Sequence, residues 1–180
     1  MFPAKESDDD RVIGVSDTSI TRLSDGRLRM YFSSFRGADW KQNICSAVSQ
    51  DGLNWSIEEG IRINFGPHGC RYVANNPSVI QINGKWNMYF RGSNNMPIKD
   101  KIFHATSSDG LTWEVEGIAL APNSNCRKER HEIAHPFVFQ TSEGFYRMYY
   151  TGCCGTILNS SSYAWYENFY RELGIDIIYD

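Results

Sequence analysis

Three polar residues with different side-chain chemistry begin three similar stretches of this chain. Asp17 begins DTSITRLSDGRLRMYFSSF, Asn76 begins NPSVIQINGKWNMYFRGS, and His135 begins HPFVFQTSEGFYRMYYTGC. A carboxyl group, an amide and an imidazole can all bind polar ligands, and the carboxyl and the imidazole can also transfer protons. We therefore expect these equivalent positions to face inward toward a polar site rather than into a hydrophobic core.

The three stretches recur at a nearly constant interval. When they are aligned on their shared methionine, almost equal lengths of chain separate Met30 from Met88 and Met88 from Met148. The turn sequence DG-x-x-W ends at Trp55 and again at Trp113, and this interval equals the one from Met30 to Met88. Two landmarks that recur together at one spacing indicate an internally repeated fold.

Each repeat has the pattern of four short antiparallel strands. In the second repeat, residues 78–82 and 85–91 flank an Asn-Gly turn, and residues 102–107 and 113–120 flank an Asp-Gly turn. Asn-Gly and Asp-Gly readily adopt the backbone conformations that tight turns need. Four antiparallel strands in each repeat are typical of a β-propeller blade.

The predicted fold class is therefore all-β, a partial β-propeller in a single domain of residues 1–180. About three four-stranded antiparallel blades are expected, in order, at about residues 15–65, 74–121 and 133–180. The last blade is degraded at its end, because no third DG-x-x-W sequence follows residue 155. A short helix over residues 166–173 and a strand-like run over 175–179 are predicted there. A β-sandwich built from duplicated hairpins is the alternative architecture.

Composition and charge narrow the class of protein. The 180 residues are 41% hydrophobic and 14% aromatic, which favours a packed globular protein over disorder. The formal net charge of −3 argues against a nucleic-acid surface, which normally needs a basic face. No apolar run approaches the roughly 20 residues needed to cross a bilayer, and MFPAKESDDD lacks the order of a signal peptide. We therefore predict a cytoplasmic protein with no nucleic-acid or membrane partner.

The cysteines indicate neither a disulfide framework nor a metal site. There are five, an odd number, and they are Cys45, Cys70, Cys126, Cys153 and Cys154. The adjacent pair at the end of this set offers two thiolates to a soft metal. However, no CxxC or HxxxH spacing accompanies it. We expect mostly reduced thiols, no bound metal and no cofactor.

Several of these motifs resemble one known superfamily of enzymes. They are PSVI followed by NGKWxMYF, the SxDGxxW turns, and HEIAHPFVF followed by GFYRMYYTG. They are similar to the five-bladed propeller glycoside hydrolases, the superfamily of arabinanases, xylosidases, levansucrases and invertases. The likeness covers roughly residues 15–155 and is nearest to bacterial members described only as glycosidase-like. It implies a carbohydrate partner, bound on the propeller axis where the innermost strand of each blade begins.

The resemblance also implies roles for individual residues. The catalytic aspartate of the first blade, a base or nucleophile, matches Asp17, and the glutamic acid of the third blade, the proton donor, matches Glu132. The second-blade aspartate that tunes this acid falls on Asn76, where the sequence departs from the family. Glycosidic cleavage needs one protonated acid and one carboxylate, and a nearby negative charge helps the acid keep its proton. An amide orients a hydroxyl but supplies no charge. Weak or lost hydrolysis is therefore expected, and a non-catalytic carbohydrate-binding or protein-interaction propeller is the alternative.

Further residues are predicted to bind the carbohydrate. His135 and Asn76 repeat the position of Asp17, and Arg91 follows the repeated MYF sequence. Arg91 can reach a ligand hydroxyl or carboxylate, or it can pair with a neighbouring acid. Arg71 and His68 lie in GPHGCRY just before the second blade and are expected to line the same mouth.

The chain is too short for the whole fold that the resemblance implies. Five blades at the observed spacing need about 290 residues, and the chain has 180. An incomplete propeller leaves two sheet faces and their edges unsatisfied. We therefore expect a homo-oligomer that completes the ring, or a C-terminal segment that caps the open side; a fragment of a longer protein is the other explanation.

Overall fold

The regular secondary structure of the described residues is β-strand. The structure is a computed structural model that describes residues 12–36, 41–64, 73–93, 99–123, 125, 132–153 and 169–173. Within these ranges the strands are β1 (Val12–Arg22), β2 (Leu28–Arg36), β3 (Lys41–Ser49), β4 (Ser56–Ile57), β5 (Val73–Ile82), β6 (Lys85–Ser93), β7 (Lys101–Ser107), β8 (Glu114–Leu120), β9 (Glu132–Gln140), β10 (Tyr146–Cys153) and β11 (Phe169–Leu173). No helix of the described residues is long and apolar enough to cross a membrane.

The strands form three antiparallel sheets that follow one another along the chain. Sheet 1 has the order β1-β2-β3-β4, sheet 2 has the order β5-β6-β7-β8, and sheet 3 has the order β9-β10-β11. The all-β prediction is confirmed. Sheet 3 has three strands among the described residues.

The predicted helix near the C-terminus is wrong. Residues 169–173 form β11, which pairs antiparallel with β10 from Gly152↔Phe169 to Met148↔Leu173. The free edge of β10 offers backbone donors and acceptors, and pairing with them overrides a weak local preference for helix. The strand-like run predicted over residues 175–179 lies outside the described residues.

The turns explain where the strands begin and end. Asn83 and Gly84 both have positive φ, 50° and 79°, as a two-residue hairpin between β5 and β6 requires. In the DG-x-x-W turn of sheet 2, Asp109 accepts hydrogen bonds from the N–H groups of Leu111 (2.7 Å) and Thr112 (2.8 Å). The aspartate of the sheet 1 turn accepts the same two bonds. Local side-chain chemistry therefore sets both turns.

The hydrophobic core lies between the sheets. Tyr31 and Ile44 of sheet 1 pack with Val79, Met88 and Phe90 of sheet 2. A second cluster joins sheets 2 and 3, and its buried members are Tyr89, Ile102, Ile133, Val138, Met148 and Tyr150. Full burial of one such side chain stabilises the fold by roughly 1.5–3 kcal/mol relative to exposure. Packing of each sheet on the next therefore holds the molecule together.

Two serines connect the first strands of adjacent sheets. Ser19 Oγ in β1 accepts a hydrogen bond of 3.0 Å from the N–H of Val79 in β5. Ser78 Oγ in β5 accepts one of 2.9 Å from the N–H of Val138 in β9. Each serine follows closely after the polar residue that begins its stretch. These bonds therefore hold the beginnings of the three stretches side by side.

Candidate active site at the beginnings of the inner strands

The three equivalent polar residues share an unusual backbone conformation. Asp17, Asn76 and His135 have φ values of 48°, 50° and 51°. Each lies at a break in strand register, where its strand carries one more residue than the partner strand. Asp, Asn and His are the non-glycine residues that enter this left-handed region most readily, which gives a backbone reason for their choice. Such conformations are costly and cluster at functional sites, so the position is a candidate site on geometric grounds as well.

Asp17 and Asn76 are brought together at the contact between sheets 1 and 2. The N–H of Asn76 donates to Ser33 Oγ at 3.0 Å. Ser33 lies opposite Ser16 in the β1–β2 pair, and Ser16 Oγ donates to Asp17 Oδ2 at 2.6 Å. Asp17 is exposed, whereas Asn76 is buried, and its Oδ1 has no hydrogen-bond partner among the described residues. The carboxylate of Asp17 is therefore accessible, whereas the side chain of Asn76 is buried at the contact between sheets 1 and 2.

Arg91 occupies, in sheet 2, the position that Ser33 occupies in sheet 1, and it lies at the contact between sheets 2 and 3. It follows Met88 at the same offset at which Ser33 follows Met30. Its Nε donates to Asp100 Oδ2 at 2.7 Å, and its Nη2 also contacts that oxygen. Of the two roles expected for Arg91, the structure shows pairing with an acid.

Asp100 is the functional candidate that the sequence does not reveal. It immediately precedes β7 and is completely buried. No motif surrounds it in IKDKIF, and a lone Asp between two lysines is typical of an exposed loop. Its burial could not be read from sequence because it results from packing of sheet 2 against sheet 3.

Glu132 lies beside this pair at the beginning of β9. The N–H of the next residue, Ile133, donates to the backbone oxygen of Asp100 at 3.2 Å. Burial raises the pKa of Glu132, and so do the charge of Asp100 and a hydrogen bond with its side chain, whereas the Arg91 guanidinium opposes the shift. A carboxyl group in this environment keeps its proton to higher pH than an exposed one, as a general acid requires.

His135 is affected by charges from all three sheets. It is exposed overall, but partial burial of the imidazole lowers its pKa, and the positive charge of Arg91 lowers it further. The negative charges of Asp17 and Asp100 act in the opposite direction. The bonds accepted by Ser19 and Ser78 hold the stretches that begin at Asp17, Asn76 and His135 side by side, and the backbone of Asp100 lies against the beginning of β9.

Two of the predicted carbohydrate-binding residues, Arg71 and His68, lie outside the described residues. Among the residues that the structure describes, no group of three His, Cys, Asp or Glu side chains is arranged to hold a metal ion.

The fold has clear counterparts among solved structures. A family 117 glycoside hydrolase of the marine bacterium Zobellia galactanivorans superposes with a TM-score of 0.67 and 17% identity, over 83% of this chain and 51% of that one. A thermostable family 43 glycoside hydrolase gives 0.65 and 19%, over 79% and 50% of the two chains. An endo-arabinase of Bacteroides thetaiotaomicron gives 0.62 and 15%, over 79% and 52%.

The fold is that of the propeller glycoside hydrolases. Each of sheets 1 to 3 is therefore a propeller blade, and the predicted partial propeller is confirmed. The chain spans about half the length of these solved structures. In this propeller, Asp17, Asn76 and His135 lie in the first strand of each blade.

Sequence comparison gives relatives without an assigned activity. The chain is 32% identical over 127 residues to a protein of Mycobacterium tuberculosis that is described as uncharacterized, and the same match is found in two strains. The match covers 63% of this chain and 39% of the relative. No protein-family model matches the chain.

Proposed function

We propose that this chain carries the catalytic groups of a glycoside hydrolase, with Glu132 as the general acid and Asp17 as the base or nucleophile. The observation that supports it most strongly is the set of hydrogen bonds that hold the stretches beginning at Asp17, Asn76 and His135 side by side and join Asp100 to the residue after Glu132. In this arrangement burial raises the pKa of Glu132, and the side chain of Asp17 is exposed. Hydrolysis of a glycosidic bond needs this pair of groups.

Glu132 is suited to protonate the departing sugar oxygen. Desolvation of its carboxyl group disfavours the charged form, so the proton is retained to higher pH than in water. Proton donation to the leaving group then removes the need to expel an alkoxide. After the proton has left, the nearby Arg91 guanidinium stabilises the carboxylate that forms.

Asp17 is suited to act on the sugar carbon. Its carboxylate is exposed, and its left-handed backbone turns it out of the regular alternation of β1. The hydrogen bond from Ser16 fixes one carboxylate oxygen and leaves the other to attack carbon or to activate water. The exposed imidazole of His135 supplies a hydrogen-bonding group for a sugar hydroxyl.

The proposal is tested by turnover of a panel of aryl glycosides. The panel includes arabinosides, because one structural neighbour is an endo-arabinase. We expect release of the aryl alcohol by the wild-type chain, and a loss of at least about 100-fold in Asp17→Asn and in Glu132→Gln. Asp25→Asn, in an exposed turn of sheet 1, is the matched control and should keep full activity. Equal silence of all four proteins, or equal activity of all four, would count against these roles.

We also propose that the chain associates with a second copy of itself, and sheet 1 provides the first reason. Val79 and Met88 are cross-strand partners that are buried against sheet 1. The equivalent cross-strand pair in sheet 1 is Ile20 and Met30. Ile20 is 54% exposed. Sheet 1 therefore exposes the apolar face whose equivalent in sheet 2 is buried against sheet 1.

Sheet 3 exposes the apolar face whose equivalent in sheet 2 packs against sheet 3. Ile80 and Tyr89 of sheet 2 pack toward sheet 3. The equivalent residues of sheet 3, Phe139 and Tyr149, stack with ring centroids 5.5 Å apart, and neighbouring Phe137 is 61% exposed. If this face of one copy packs on the sheet 1 face of another, the contact repeats the packing found inside the chain. Burial of both apolar faces favours such a pair.

A further inference from the structure

We propose that Asp100 is a positioning residue whose Oδ1 atom accepts a hydrogen bond from the protonated carboxyl group of Glu132. This inference rests on the proposed function only in naming Glu132 as the acid. It assigns to Asp100 the negative charge that Asn76, at the equivalent position of the second blade, cannot supply.

The environment of Asp100 leaves one of its oxygens without a donor. Its side chain is fully buried, and Oδ2 is occupied by Arg91 through Nε at 2.7 Å and through Nη2. Oδ1 is buried and has no hydrogen-bond donor among the described residues. A buried carboxylate oxygen that makes no hydrogen bond is costly, so a donor is expected there.

Glu132 is the group placed to be that donor. The 3.2 Å bond from the N–H of Ile133 to the backbone oxygen of Asp100 fixes the two chain segments against each other. Burial raises the pKa of Glu132 first, and the charge of Asp100 and the hydrogen bond between the two side chains raise it further. A proton on Glu132 therefore satisfies Oδ1 of Asp100, and two carboxyl groups share one proton.

Among the described residues, Arg91 acts on Glu132, Asp100 acts on His135, and Asp17 also acts on His135. Arg91 on β6 is paired with Asp100 and favours the ionised form of Glu132. His135 on β9 has a lowered pKa, because burial and Arg91 both disfavour the imidazolium. Asp17 on β1 acts on His135 in the opposite sense. Arg91 is thus paired with Asp100, and the negative charge of Asp100 favours the protonated form of Glu132.

The inference is tested by carbon NMR titration of the full chain labelled at side-chain carboxyl carbons. In the wild type, the midpoint of the Glu132 Cδ titration should lie above that of an exposed glutamate. In Asp100→Asn the Glu132 midpoint should move to lower pH. The amide donates a hydrogen bond to the Glu132 carboxylate, and Arg91, which no longer has a carboxylate partner at residue 100, also attracts that carboxylate. Asp25→Asn, at an exposed aspartate that pairs with Arg27, is the matched control and should leave the Glu132 midpoint unchanged.

A second measurement covers the case in which Asp100→Asn does not fold. In the wild-type protein, the Cγ signal of Asp100 should shift at the pH at which Glu132 titrates, because the two groups share a proton. An Asp100 signal that ignores the Glu132 titration overturns the inference. An unchanged Glu132 midpoint in folded Asp100→Asn overturns it too.

The two proposals fail in different ways. If Asp100 and Glu132 titrate together but the protein hydrolyses no glycoside, the pairing is supported and the enzymatic function is rejected. If glycoside turnover depends on Glu132 but Asp100 titrates independently, the enzymatic function is supported and the pairing is rejected.

Discussion

The hydroxyl group of Tyr31 in sheet 1 donates a hydrogen bond of 2.8 Å to the backbone oxygen of Gly110 in sheet 2. Arg29 adds a parallel bond of 3.1 Å from Nη1 to the backbone oxygen of Asp109, and its Nη2 pairs with Glu58 at 2.8 Å. The DG-x-x-W turn of one blade is thus held by polar side chains of the blade before it. This contact aligns the blades and, through them, the beginnings of the inner strands.

Replacement of Gly110 by alanine should destabilise the protein more than the same change at Gly52. Both glycines have positive φ, 73° and 76°, so each change costs about 1–2 kcal/mol in backbone strain. A Cβ at Gly110 would lie 2.6 Å from Arg29 Nη1 and 2.7 Å from Tyr31 Oη, whereas at Gly52 it meets Leu28 at 3.3 Å. Overpacking between blades adds about 1–3 kcal/mol. Urea unfolding followed by tryptophan fluorescence measures both; equal losses contradict the inter-blade contact.

Stability should fall above pH 10 because of Tyr31. Burial raises the pKa of Tyr31 to about 12, although the neighbouring Arg29 opposes the shift. Between about pH 10 and 12 the unfolded chain releases this proton while the folded chain keeps it, so the contribution is complete below pH 10 and is lost as pH rises through 12. Urea midpoints of wild type and Tyr31→Phe should therefore converge over that range. Tyr31→Phe should cost about 1 kcal/mol at pH 7 through the lost hydrogen bond; parallel pH curves contradict the assignment.

Replacement of Glu132 by glutamine should not destabilise the protein at neutral pH. Because the folded pKa of Glu132 is raised, its contribution to stability is complete below the unfolded value and is lost as pH rises through the folded value. The neutral amide avoids that loss, so the urea midpoint of Glu132→Gln relative to wild type should increase from pH 4 to pH 7. Glu114→Gln, on the exposed face of β8, serves as a control and should change stability by less than about 0.5 kcal/mol at both pH values.

Self-association should appear in light scattering as a species with twice the mass of one chain. Ile20→Ser should raise the dissociation constant about tenfold or more, because burial of an isoleucine contributes roughly 1.5–3 kcal/mol. Leu53, which is 84% exposed in the sheet 1 turn, is the matched site, and Leu53→Ser should leave the constant unchanged. A strictly monomeric wild type at micromolar concentration would refute the proposed pair.

Much of the fold follows from short-range features of the sequence. Alternation of side chains and turn residues such as Asn83 and Gly84 predict the hairpins, because turn geometry depends on residues that are adjacent in the chain. The strand β11 was missed for the complementary reason. Its conformation depends on the unpaired edge of β10, which lies far from it in sequence.

The candidate site divides in the same way. The equivalence of Asp17, Asn76 and His135 can be read from the amino-acid order, because they precede matching strands and turns. The burial of Asp100 and its pairing with Arg91 appear only when the sheets are packed together, because Asp100 is distant from Glu132 along the chain. Local pattern carries strand and turn preferences, whereas the burial of a charge and the choice of its partner depend on how separate sheets pack.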